Sequence, residues 1–559
     1  MNQPTRLFDI PKYQQEHFPL EVMMSSKLAG EWKSYSTSEF LDAVDQASRG
    51  LLELGIKPGD KIALISHNNR CEWNIMDHAL LQIGAIDVPL YPTMTEKDYE
   101  YIFNHSESSY CFVSNDELYH KVSNVMGKCP DMKKVYSFEQ YAGMNHWSEV
   151  TSLGDSNARQ EEVNSIRDNV KPNDMATIIY TSGTTGLPKG VMLSHSNLTT
   201  TVIASTPRIP GLVKGKAKTL SFLPVCHSFE RFIQYLYMYN GASIYFAEAI
   251  ETIKADLNYT QPAIFTAVPR LLEKFFDGIV ANGTSAGGVK KMIFEWAVSL
   301  ALKWEPEQAN GAFYHWKLSI ADKLVFSKVR AALGLTQIKA VASGSAALQP
   351  RLARFFNGIG VPILEGYGLT ETSPVISVNS TAQPGMIRIG AVGKVIDGVE
   401  AKIADDGEIL AKGPNIMMGY YKAPELTAEV MSGEWFHTGD IGLIIGDAQY
   451  YTNSNVNMNY LSRSWNFMDA GDIGLILLSA LCGFIGTVFL INAYRIGDPS
   501  RITVFEYSGL IPTMLLGFLI WNDIPTNKTW LGVLIIIGCG LYLFNKENSF
   551  PDNSPQEIN

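Results

Sequence analysis

The chain runs to 559 residues with a formal net charge of −11, so it exceeds what one hydrophobic core can organise, and two to four domains or subdomains are expected. An acidic balance gives nucleic acid no electrostatic footing. Six scattered cysteines (Cys71, Cys111, Cys129, Cys226, Cys482 and Cys539) without a CxxC pair argue against a structural zinc site or a disulfide framework and suit a reducing cytosol. Residues 1–18 are polar and mixed in charge, and no secretory leader is expected.

From Tyr35 to about Ser123, helical patterns alternate with short apolar runs such as 61–66 and 85–90, which predicts a parallel sheet with helices on both faces. Residues 151–173 are charged and polar and read as a linker. A strand-like run, 176–180, then leads into Tyr180-Thr181-Ser182-Gly183-Thr184-Thr185-Gly186-Leu187-Pro188-Lys189-Gly190, and Val191-Met192-Leu193 leads out. Glycine lets the backbone approach a ligand closely, so consecutive N–H groups can form an anion-binding concavity. The hydroxyls of Thr181, Ser182, Thr184 and Thr185 add donors, and Lys189 adds a compact positive charge. Pro188 before the lysine and Gly190 after it exclude a Walker loop. A flexible serine-threonine-glycine linker is the plainer alternative, but the buried strands on either side favour an anchored phosphate loop.

A second alternating region follows, with strand candidates at 220–224, 263–268, 338–342 and 362–364, and helical stretches at 289–303 and 314–332. Three polar clusters sit at the ends of these strands. Leu223-Pro224-Val225-Cys226-His227-Ser228-Phe229-Glu230-Arg231 contains one histidine. Ser343-Gly344-Ser345-Ala346 is a run of small residues of the kind common in turns. Glu365-Gly366-Tyr367-Gly368-Leu369-Thr370-Glu371-Thr372 puts polar groups at a strand's carboxyl end, where open α/β sheets bind ligands. From 387 to 445 the elements shorten and glycines multiply, as in a small β-rich subdomain, and Trp435-Phe436-His437-Thr438-Gly439-Asp440-Ile441-Gly442 places an aspartate after an aromatic strand.

Near residue 470 the composition changes. Residues 473–494 carry no charge, 502–521 carry only Glu506, and 529–544 again carry none. These lengths approach or meet the ~20 residues of a membrane span, and Trp530 and Lys546 flank the third as interfacial anchors would.

The phosphate-loop signature, with the clusters around Tyr367 and Asp440, resembles the adenylate-forming superfamily of acyl-CoA synthetases, luciferases and peptide-synthetase adenylation domains. The resemblance spans Tyr35 to about Thr452 and is nearest to bacterial long-chain fatty-acid CoA ligases. It implies an α/β fold of two doubly wound α/β subdomains plus a small distorted β-barrel. It also implies ATP, Mg²⁺ and CoA as co-substrates or cofactors, and a long-chain fatty acid as substrate. By the same resemblance Thr184, Lys189, His227 and Glu371 are the catalytic candidates. Thr181, Ser182, Gly183, Thr185, Gly186, Gly344, Ser345, Tyr367, Gly368, Thr370 and Asp440 are the nucleotide-binding candidates. Tyr367 would stack on adenine, Thr370 would contact phosphate, Asp440 would accept from both ribose hydroxyls, and Glu371 would hold Mg²⁺. His227 would lie near the acyl carboxylate, and the segment 266–270 would line the acyl tunnel.

After Asp440 the resemblance fades. Where the family continues into an Asp-Arg hinge and a small α+β domain bearing a late lysine, this chain reads Asn453-Ser454, and the small C-terminal α+β domain is expected to be absent. The stretch 469–546 resembles instead the closing helices of an EamA-type drug/metabolite transporter, through Asn492-Ala493-Tyr494-Arg495 and Phe505-Glu506-Tyr507. The expected organisation is therefore an AMP-binding large domain at 1–445, a linker at 446–470, about three transmembrane helices within 471–546, and a polar tail at 547–559. It implies a cytoplasmic catalytic domain anchored in the inner membrane through 473–544. Three spans would leave Arg495 and Arg501 outside, against the positive-inside tendency. The six residues Gly-Asp-Ile-Gly-Leu-Ile occur at both 439–444 and 471–476, which suggests a fusion of two reading frames. The competing expectation is a transport-protein fragment joined to a nucleotide-binding module without turnover.

Overall fold

The computed structural model describes residues 3–28, 30–181, 187–209, 211–444 and 451–453. The loop residues Ser182, Gly183, Thr184, Thr185 and Gly186, and the expected membrane spans, lie outside the described residues.

Two large sheets organise the chain. The first has seven strands in the spatial order Gly419–Tyr420, Lys189–Ser194, Met175–Thr181, Ile86–Leu90, Lys61–Ile65, Ser108–Val113 and Lys134–Ser137. Its strands from 86–90 outward to 134–137 are mutually parallel, as the alternating pattern predicts, and their side chains are almost wholly buried because helices cover both faces. The strands 175–181 and 189–194 instead pair antiparallel, with Thr181 opposite Lys189. These two paired strands flank the phosphate-loop candidates in the sequence.

The second sheet has nine strands, with a parallel centre of Ile363–Tyr367, Ala340–Ser343, Ile264–Ala267, Lys218–Ser221 and Ser243–Phe246. Four of them lie within a few residues of their sequence-based positions, while Ser243–Phe246 has no counterpart among the strand candidates. The strand Met24–Leu28 extends this sheet by pairing with 243–246, so the chain begins in the second sheet before building the first. Nothing in that polar N-terminal stretch announces it.

Two helices are buried throughout: Cys71–Gln82, and Ser228–Tyr239 apart from half-buried Phe229. The second carries Glu230 and Arg231 side by side, facing opposite sheets. The Glu230 carboxyl accepts from Ser221 Oγ (2.5 Å) and Thr266 Oγ1 (2.6 Å) of the second sheet. The Arg231 guanidinium donates to Asp77 Oδ1 (2.6 Å) and Thr177 Oγ1 (2.7 Å) and stands 2.8 Å from Asp87 Oδ2, all on the first sheet's side.

Two expectations change. Residues 151–173 contain the helix Gln160–Asn169, whose first turn carries Glu161 and Glu162 and whose last carries Arg167, charges that complement the helix dipole. Val163 is buried, so this is a packed element and no linker. The β-rich region forms an antiparallel sheet of Glu400–Ile403, Glu408–Lys412, Trp435–Ile444 and Met431–Ser432, with Tyr451–Asn453 pairing along 442–444. Among the described residues its strands pair in an open order, where a distorted barrel is expected.

Candidate active site

The strands that flank the phosphate-loop candidates pack closely against each other. A Cβ at Gly190 would lie 2.8 Å from Ile178 Cγ2, so only glycine lets this strand sit against its neighbour. Thr181 and Lys189, both half-buried, flank the loop. The Lys189 ammonium lies 5.3 Å from the ring centroid of Tyr420, which pairs across the adjacent short strand with Val191. Tyr420 in turn donates its O–H to Glu371 Oε1 at 2.9 Å. Tyr420 thus links the lysine of one motif to the carboxylate of another, although no sequence pattern singles it out. The nearest signal is the aromatic pair Tyr420-Tyr421 following a glycine.

Helix 228–239 begins at the site. Its N-cap is His227, whose Nδ1 accepts from the Phe229 backbone N–H at 3.1 Å. That bond leaves Nδ1 unprotonated, so in the neutral ring Nε2 carries the proton and is a donor. Burial holds the imidazole below its ordinary pKa, which favours this neutral form. One residue on, Ser228 Oγ lies 3.1 Å from Thr370 Oγ1. His227, Ser228 and Thr370 border two cavities. One, of ≈ 480 Å³, is also lined by Tyr91, Thr181 and Pro188. The other, of ≈ 210 Å³, passes between helix 228–239 and the second sheet. Its walls are apolar where Phe232, Leu236 and Val375 face it and polar where Ser343, Ser345 and Tyr367 do.

The second cavity gathers most of the remaining candidates. Gly344, Ser345, Tyr367, Gly368 and Thr370 all line it. Ser343 Oγ is buried without a hydrogen-bond partner among the described residues, and a polar atom in that state on a cavity wall is suited to a ligand. Ser345 holds φ at +68°, a left-handed conformation that is costly outside glycine and is typical of residues set for a ligand. Gly368 is obligatory, since a Cβ there would fall 1.9 Å from the Pro374 carbonyl oxygen. Tyr367 donates its O–H to Asp440 Oδ2 at 2.8 Å, which ties the β-rich region to the second sheet. Two carboxyls under this surface are strongly perturbed by burial: Glu365 is pushed up to about 8 and Glu230 to about 7.

The expected Mg²⁺ has one candidate donor here, Glu371, and its carboxylate fits that role. Mg²⁺ is commonly held by one or two carboxylates together with substrate phosphates. Tyr420 engages one oxygen of Glu371, and among the described residues no partner is recorded for the other.

Residues 12–421 match the AMP-binding enzyme family, and residues 454–545 match the EamA-like transporter family. The long-chain-fatty-acid-CoA ligase FadD15 of Mycobacterium bovis is 33% identical over 432 residues, covering 77% of this chain and 70% of that protein. Among solved structures, the anthranilate CoA ligase AuaEII in complex with anthranoyl-AMP superposes with a TM-score of 0.59 at 20% identity, over 81% of this chain and 78% of its own. The N-terminal domain of FACL13 from Mycobacterium tuberculosis superposes with a TM-score of 0.56 at 16% identity, over 80% of this chain and 98% of its own. Both structural likenesses are likenesses of fold.

Proposed function

We propose a reaction that follows from kinship: this chain belongs to the AMP-binding enzyme family and is, by family, an AMP-forming long-chain fatty-acid CoA ligase. The reading is ATP-dependent activation of a long-chain fatty acid to its acyl-adenylate with release of pyrophosphate, followed by transfer of the acyl group to the thiol of CoA.

The observation that carries it is the shared border of the two cavities. One cavity is lined by Thr181 and Pro188, the described residues at either end of the phosphate-loop motif, while the other offers an apolar wall for a hydrocarbon chain. Only at that border would a fatty-acid carboxylate meet an α-phosphate. The His227 Nε2–H would donate to the carboxylate or its acyl oxygen, and the imidazole acts by orienting rather than by taking a proton, because its other nitrogen is occupied. Lys189, with the loop 182–186 that contains Thr184, would hold the phosphates, and Thr370 would add a hydroxyl. Tyr367 would lie against adenine along the backbone of Gly344 and Ser345, and Asp440 would accept from the ribose hydroxyls. Glu371 would hold Mg²⁺, which supplies charge neutralisation for the departing pyrophosphate. The chain's own part is positioning and charge stabilisation around an in-line attack.

Activity is a separate matter from kinship. The chain covers nearly all of the FACL13 N-terminal domain but 78% of AuaEII. The EamA-like match at 454–545, where the family's small domain with its late lysine is expected, supports reading that domain as replaced here. We therefore infer strongly impaired adenylation and almost no thioester formation. ATP–pyrophosphate exchange driven by fatty acids of graded length, on the full chain and on a truncation ending at Thr452, tests this. Exchange at rates typical of intact ligases would overturn it. The EamA-like match favours a second reading, a cytoplasmic nucleotide-binding module without turnover, anchored in the inner membrane by 473–544. Binding of an acyl-adenylate analogue without any exchange is its signature.

A further inference from the structure

A third cavity is built from the stretch between the His227 and Ser343 motifs and shares no lining residue with the other two. It is a groove of ≈ 600 Å³ among the helices Ile253–Thr260, Pro269–Thr284 and Gly288–Ala301 and the helical segment 322–332. Its floor is hydrocarbon, supplied by Phe275, Ile279, Ile293 and Leu324 among others, and its size falls within the ~300–1,000 Å³ of ordinary ligand pockets. Leu324 is 47% exposed, and Val289 and Met292 at the neighbouring helix start are 70% and 69% exposed.

The charges around it are one-sided. Lys254, Lys274, Lys290 and Lys328 line the groove, and no aspartate or glutamate does. Among the described residues none of these four ammonium groups is in an ion pair, whereas Lys291 nearby pairs with Glu295. Four unpaired lysines around one apolar floor stand out in a chain of net charge −11. A neutral apolar ligand gives the lysines nothing to do, and a soluble anion leaves the floor unused. Lysine stems can lie along hydrocarbon while their heads reach an anion at the rim.

We propose that this groove binds a single-chain anionic amphiphile of the fatty-acid class, the chain along the floor and the carboxylate among the lysines. The site is separate from the cavities at His227 and does not depend on the ligase reading. Gly278 gives a clean probe. It lies in the groove wall within a helix, and a Cβ there meets nothing within 4 Å, so Gly278→Leu fills the groove without straining the backbone.

The test is photolabelling of the full chain with a diazirine-bearing fatty acid, the crosslinks being mapped by mass spectrometry. Saturable labelling within 269–333 is expected, displaced by tetradecanoate and at least fivefold less well by tetradecanol. Competition should sharpen by roughly threefold to fourfold per added methylene. Labelling there should fall at least fivefold in Gly278→Leu and in Lys274→Gln/Lys290→Gln, with the thermal transition unchanged. Absence of labelling in 269–333, or labelling that neither saturates nor responds to Gly278→Leu, overturns the proposal. So does capture by anionic phospholipid vesicles that needs the lysines but ignores Gly278→Leu, which would make this face a membrane surface. The ligase reading fails separately, by exchange.

Discussion

Two polar clusters lie on either side of the helix 228–239, and they differ in what they leave unfinished. On the first sheet's side, Arg231 is enclosed by Asp77, Asp87, Tyr235 and Thr177, with Arg231 and the two aspartates each no more than 1% exposed. Burial pushes Asp87 upward in pKa against the opposing pull of the Arg231 guanidinium. At the helix's N-terminal end, Glu371 is met by the Tyr420 hydroxyl and Asp440 by the Tyr367 hydroxyl, while Ser343 Oγ has no hydrogen-bond partner among the described residues. A closed, dry cluster joins two sheets. An open one waits for a ligand. Burial and strong pairing alone would select the wrong cluster as the site, and what separates the two is unused hydrogen-bonding capacity on a cavity wall.

The largest expected effect falls on the closed cluster. Arg231→Met leaves Asp77 charged and unpaired in a dry interior and should cost about 3–5 kcal/mol in chemical denaturation. Asp77→Leu added to it should restore part of that loss, since removing both partners is far cheaper than removing one. An Arg231→Met protein of normal stability would mean that the cluster admits water.

The open cluster should behave the other way. Glu371→Gln keeps the shape and the Tyr420 hydrogen bond while halving the acceptor capacity, so stability should move by less than about 0.5 kcal/mol. Whatever ATP–pyrophosphate exchange the chain supports should fall roughly 10²–10³-fold, the usual cost of removing one charge-stabilising group. Equal loss of stability and exchange would place Glu371 with the structural residues.

The pH dependence of stability divides the same helix a third way. Glu230, whose ordinary value of 4.5 rises to about 7 under burial, binds its proton more tightly folded than unfolded. Its contribution is complete below pH 4.5 and is lost as the pH rises through 7, with a slope approaching 1.4 kcal/mol per unit, by the usual linkage. Glu365 behaves alike, up to about 8. Glu230→Gln should therefore flatten the stability profile between pH 4.5 and 7 relative to the parent chain, and an unchanged profile would show the carboxyl to be hydrated.

Much of this was legible beforehand, for reasons that differ by element. The parallel strands at 61–65, 86–90 and 264–267 are short apolar runs between helical patterns, and local periodicity suffices to find them. Thr181, Lys189, Tyr367, Thr370 and Glu371 sit in compact motifs whose glycines are required by close backbone contacts, as at Gly190 and Gly368. Arg231 escaped notice because its partners lie 54 and 154 positions away, at separations where sequence carries no periodic signal. The 160–169 helix was hidden by its polarity: only Val163 of its ten residues is buried.

The smallest expected effect probes the tie between the two regions of the site. Tyr367 is 7% exposed, and its hydroxyl ends on Asp440, a residue of the β-rich strand 435–444. Tyr367→Phe keeps the ring that would lie against adenine and removes the hydrogen bond to the aspartate's carboxylate. Loss of that bond should cost about 0.5–1.5 kcal/mol. If Asp440 is held for ribose, the loss appears as a KM for ATP raised roughly threefold to tenfold with kcat little changed, because ground state and transition state share that contact. If the bond instead merely fastens the β-rich region to the second sheet, nucleotide affinity stays constant and the denaturation midpoint falls. The two results are exclusive enough to decide whether Asp440 belongs to the open cluster or only borders it.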